Sequence, residues 1–118
     1  MKFLFSFIVT IASLHHMYGQ DAGILIKEGE QREVQLNEKS AMEKFKQAIA
    51  LEPNNVYVLC KISELYSRIG NREASKNTRD SYYNNAVAYA KKALSIAPAN
   101  DEANVAMAIA YGLSLIHI

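Results

Sequence analysis

The sequence predicts an all-α fold: antiparallel helix pairs stacked as an α-solenoid, truncated at the C-terminus. Three observations carry this prediction. The 118-residue chain is 50% hydrophobic, with two Pro, five Gly and no Trp. Such a composition favours helices over a turn-rich β-sandwich. Alanines then recur at spacings of three and four, which place them on one helix face. Finally, Pro53 and Pro98 each follow such a stripe, and proline cannot continue a helix.

The first element is residues 1–19. Lys2 supplies a positive start, and Phe3 to Leu14 is apolar apart from Ser6, Thr10 and Ser13. Twelve such residues fall short of the ~20 needed to span a bilayer. The stretch therefore reads as a cleaved secretory signal, with a buried helix or a membrane anchor as the alternatives. Cutting after Gly19 would leave Gln20 first, although Met17 suits the site poorly. The implied location is exported, either periplasmic or secreted. Membrane contact is then expected only through the cleaved signal.

Residues 20–37 read as a divergent first helix, and 38–112 as the repeats. One segment carries Ala41, Phe45, Ala48 and Pro53; another carries Ala86, Ala90, Ala93 and Pro98. Both have the spacing four, three, five. Small residues on the stripe let a neighbouring helix approach, and the asparagines after each proline suit a turn. Between the prolines, Leu59, Ile62, Ser63 and Tyr66 form a further helical stripe ending near Gly70.

These residues resemble the tetratricopeptide repeat, a unit of about 34 residues in two antiparallel helices. In that frame Leu25 and Gly29 fit, whereas Glu28, Arg32 and Asn104 depart. The prolines lie 45 residues apart, about 11 more than the repeat length. The excess falls at 71–81, a polar stretch expected to be an inserted loop, with Asp80 or Ser81 capping the next helix. The run from Ile69 to Tyr83, followed by a repeat helix, is also similar to secreted helical-repeat proteins of Bacteroidetes-type bacteria. Those are distantly similar to the regulator-of-microtubule-dynamics family.

The last element, Leu113 to Ile118, reads Leu-Ser-Leu-Ile-His-Ile. It resembles the translated end of a transposase sequencing adapter and is expected to be a non-native tail. The alternative is a natural apolar helix end. A tail of that origin would make the chain a fragment, with a large side-chain set (Val105, Met107, Ile109, Tyr111) left without its covering helix.

Charge and chemistry narrow the function. Lys plus Arg number 13 and Asp plus Glu 12, which argues against nucleic-acid binding. The histidines are His15, His16 and His117, all in the terminal segments. The repeats therefore lack the usual general base, and no catalytic residue is predicted. Cys60 has no histidine to activate it and suits a buried helix position; a redox role is the alternative. One cysteine excludes a multi-cysteine zinc site, and scattered glycines exclude a phosphate-cradling loop. No cofactor and no metal are expected. The tyrosines at 57, 66, 82, 83 and 89 suit packing, and Lys91 and Lys92 a solvated face.

Binding remains. Stacked repeat helices expose a concave groove. The resemblance implies that Tyr57, Cys60, Glu64, Ser67 and Arg68 face it, with Glu102, Val105 and Ile109 from the following repeat. Cys60 and Glu64 occupy positions where the family's carboxylate-gripping grooves carry Lys and Asn, so that recognition is not expected. Tyr57, Glu64, Arg68, Glu102, Val105 and Ile109 are the candidate partner-binding residues, for a helix or an extended peptide. The rival readings are a docking arm of a larger enzyme or assembly factor, self-association, and plain packing against another helix.

Overall fold

The computed structural model describes residues 21–116, and every regular element among them is a helix. The expected signal (1–19), Gln20, and the last two residues of the tail lie outside the described residues. Helix α1 covers 21–34. It is followed by α2 (Glu38–Leu51), α3 (Val56–Asn71), α4 (Lys76–Ile96) and α5 (Asp101–Ile116). No helix among the described residues is long and apolar enough to cross a membrane.

Helix starts follow asparagine chemistry. Asn55 Oδ1 accepts from Val58 N at 3.2 Å, and Asn100 Oδ1 accepts from Ala103 N at 2.9 Å. Each sits two residues after a proline and satisfies an amide that the helix leaves free. Asn37 does the same for α2, more weakly, at 3.4 Å. Helix α1 instead ends on Leu36, whose φ of 61° lies in the left-handed region. Leu36 N donates to Glu33 O and Asn37 N to Arg32 O, a Schellman-type end usually built on glycine.

The repeated stripes form the core. Ala41, Phe45 and Ala48 on α2, and Ala86, Ala90 and Ala93 on α4, are fully buried. Central α3 packs on α2, α4 and α5, and ion pairs tie it to α1. The odd-numbered helices thus line one face, backed by α2 and α4. Leu59, Ile62, Ser63 and Tyr66 are buried toward the even helices, and Ser63 Oγ donates to Ala86 O at 2.7 Å. Tyr66 stacks on Tyr89 at 5.8 Å and tilts against Tyr82 at 5.5 Å, with Lys46 Nζ 4.9 Å from its ring centre.

The 71–81 segment differs from expectation. Asn71 ends α3, only 72–75 is non-helical, and α4 already starts at Lys76. The added residues mostly lengthen α4, which has 21 residues against 14 for α2. Ser75, rather than Asp80 or Ser81, is the N-cap, and its side chain makes no capping bond. The extension holds because Tyr83 is buried against α3 and its hydroxyl donates to Asn71 Oδ1 at 3.3 Å. Arg79 Nη1 also donates to the Glu73 carbonyl at 3.3 Å. The helix before it ends close to Gly70, as expected, one residue later at Asn71. Gly70, in the last turn of α3, lets Tyr82 and Tyr83 approach.

On α5 the buried residues are Ala103, Ala106 and Ala110. The expected large positions behave differently from their counterparts on α3, because no described helix follows α5 to cover them. Val105, Ile109 and Tyr111 are exposed, and Met107 is half-buried. Helix α5 runs unbroken from Gly112 through Leu113 to Ile116.

Candidate functional site

The face made by α1, α3 and α5 is polar at the α1 side and apolar at the α5 side. The reason is helical spacing on α3. Lys61, Glu64 and Arg68 recur at intervals of three and four, so all emerge between the flanking helices.

Toward α1, charges are paired. Glu33 Oε2 holds Arg68 Nη2 at 2.8 Å, and Glu33 Oε1 lies 3.3 Å from Lys61 Nζ. Glu38 at the start of α2 holds Arg72 Nη2 at 2.9 Å and faces Arg68 Nε at 3.7 Å. Tyr57, at the first turn of α3, donates its hydroxyl to Glu30 Oε1 at 2.8 Å. Burial, followed by this bond and the charges of Glu30, Glu33 and Glu102, pushes the Tyr57 pKa upward.

Toward α5, Glu64 has no ion-pair partner among the described residues, and Arg68 reaches the pocket already paired. Glu64, Ser67, Arg68 and Asn71 line a pocket of about 260 Å³ that Ile109 and Leu113 close from α5. Burial holds the Glu64 carboxyl above its ordinary range. Lys61 and Arg68 partly oppose this shift, while Glu33 and Glu102 add to it. Ser67 is buried, and its hydroxyl has no hydrogen-bond partner among the described residues.

The six candidate residues therefore divide. Glu64, Arg68 and Ile109 meet in one pocket. Tyr57 sits at the other end of the same face, where the Glu102 charge reaches it. Glu102 and Val105 are exposed on α5, and neither lines this pocket. Cys60 does not face an open groove as expected, whereas Ser67 is buried at the wall of the pocket. Cys60 packs with Leu59, Ala93 and Ala103 under α5. Burial, then the Glu102 and Glu64 charges, push its thiol up to about 11. Asn71, Leu113, Glu30 and Glu33 were not predicted. Asn71 was placed in a loop, and Glu33 pairs with α3 from 35 residues away in sequence, a distance no local pattern reveals.

Among the described residues no group of three His, Cys, Asp or Glu is arranged to hold a metal ion. No curated protein matches the chain. The family model described as regulator of microtubule dynamics protein 1-3 matches residues 23–116, which spans α1 to α5. With most of its length matched, the chain belongs to the regulator of microtubule dynamics protein 1-3 family.

Proposed function

We propose that this chain is a non-catalytic, tetratricopeptide-type interaction scaffold that binds a peptide or helix along the α3–α5 face. The observation that carries the reading is the pocket itself. Apolar Ile109 stands opposite Glu64 and a Ser67 hydroxyl that has no partner among the described residues. Such a mix of one apolar wall and a few convergent polar groups suits side-chain capture. The relatives' name speaks of regulating microtubule dynamics; for this chain the proposal takes from it only a role in protein assemblies. The apolar start of the chain supports export to the bacterial envelope or exterior.

The test is selection of peptide ligands on the full chain from a random display library. Selected peptides are expected to lose most of their affinity for Val105→Asp/Ile109→Asp protein. Ligands that bind this variant unchanged would refute the proposed face.

A second reading is favoured by Val105, Ile109 and Tyr111, which are 55%, 45% and 47% exposed on one helix. Here α5 docks against another folded part, and the repeats are the docking arm of a larger enzyme or assembly factor.

A further inference from the structure

We propose that the pocket between α3 and α5 takes a cationic side chain, Lys or Arg, from a peptide laid along this face. The inference rests on the scaffold reading above and adds the chemistry of the residue captured.

Charge placement is the first argument. The cations of this region, including Arg68, which also lines the pocket, are ion-paired toward α1 and α2. Arg68 is held by Glu33 and Glu38, Lys61 by Glu33, and Arg72 by Glu38. On the α5 side the balance is reversed. Among the described residues, no Lys or Arg nitrogen lies within ion-pair distance of Glu64 or Glu102. Both carboxylates are near enough to act on the Cys60 thiol between them. A half-buried carboxylate without a counterion is unfavourable, and an incoming cation relieves it.

The second argument is the buried hydroxyl. Ser67 is 2% exposed, lines the same pocket, and its Oγ has no partner among the described residues. It offers an acceptor for an ammonium or guanidinium N–H one helical turn from Glu64. The third is shape. About 260 Å³ is below the roughly 300–1,000 Å³ of drug-sized sites and suits one long side chain. Ile109 covers the aliphatic stem of such a residue while the head meets Glu64. All the polar atoms come from α3, so the recognition does not depend on Leu113.

The groups acting on Glu64 are Lys61 and Arg68 on its own helix, Glu33 on α1 and Glu102 on α5. Protonating Glu64 at low pH removes the unpaired charge, so cation capture weakens as pH falls.

The experiment uses blocked peptides acetyl-Ala-Leu-X-Leu-Ala-amide, with X as Lys, Arg, norleucine or Glu. Each is titrated into the full isotope-labelled chain, and the Glu64, Ser67 and Ile109 amides are followed by NMR. The Lys and Arg peptides are expected to bind roughly tenfold tighter than norleucine, the range of one charge-assisted contact. Glu64→Gln is expected to erase that difference. Equal binding of Lys and norleucine at these amides overturns cation capture but leaves the groove standing. Tightest binding of the Glu peptide overturns it in favour of an anionic partner. Shifts at none of these amides, with any peptide, overturn both the capture and the groove.

Discussion

A Cβ placed on Gly70 would lie 2.7 Å from Tyr82 Cβ, so the end of α3 touches the start of α4 at the root of a side chain. Two effects oppose each other at this position. Alanine gains about 1 kcal/mol of helix propensity over glycine. Overpacking costs about 1–3 kcal/mol, and no flexible side-chain tip is available to yield. Packing wins, and Gly70→Ala is expected to lose about 1 kcal/mol in urea unfolding followed by circular dichroism. A gain in stability would show that the two helices do not meet there.

Leu36 gives the opposite sign. Its left-handed backbone costs about 1–2 kcal/mol for a side chain bearing a Cβ. At 84% exposure it has little packing to lose. Glycine gives back about 0.5–1 kcal/mol through unfolded-chain entropy. Leu36→Gly is therefore expected to stabilise by about 0.5 kcal/mol in the same assay. A loss beyond 1 kcal/mol would mean that Leu36 packs against something.

The caps separate helix starts that resemble one another in sequence. Asn55 caps α3 with its side chain, while Ser75 at α4 makes no such bond. Asn55→Ala is expected to cost about 1 kcal/mol, and Ser75→Ala to fall within about 0.5 kcal/mol of the parent. Equal losses would contradict the difference in capping.

Glu64 makes stability depend on pH. Its folded pKa is raised, mainly by burial. The folded state thus binds this proton more tightly than the unfolded chain. The associated stability is present below the unfolded carboxylate pKa and is lost as pH rises through the folded one. Glu64→Gln should therefore compare most favourably with the parent at neutral pH, and the advantage should shrink in acid. Parallel pH profiles of the two proteins would disprove the shift.

Cys60 is 1% exposed, and its thiol is pushed up to about 11. The thiolate is the reactive form. At pH 8 the folded protein is expected to react with a thiol-exchange reagent at least roughly tenfold slower than the urea-unfolded chain. Equal rates would restore the redox alternative.

Local patterns sufficed for much of the architecture. Alanines spaced for one helix face, prolines that end helices, and asparagines that suit the turns after them all act within a few residues. The helical class and the buried stripes of α2 and α4 were therefore legible. Their failure at 71–81 is instructive. Residues 76–81 carry no apolar stripe of their own, yet they are helical ahead of Tyr82 and Tyr83, which pack on Gly70. Propensity alone could not supply that contact.

The site divides the same way. Glu64, Arg68 and Ile109 were expected together from the resemblance to the tetratricopeptide repeat, whose frame puts them on one face. Whether each charge is paired was not readable. Glu33, far away in sequence, takes Lys61 and Arg68, and no described cation forms an ion pair with Glu64. Cys60 faces inward because α5 lies over α3 on a stripe of alanines. Helix identity and facing are one-dimensional properties of this chain. Charge pairing, burial and the pocket exist only once α1 and α5 lie on either side of α3.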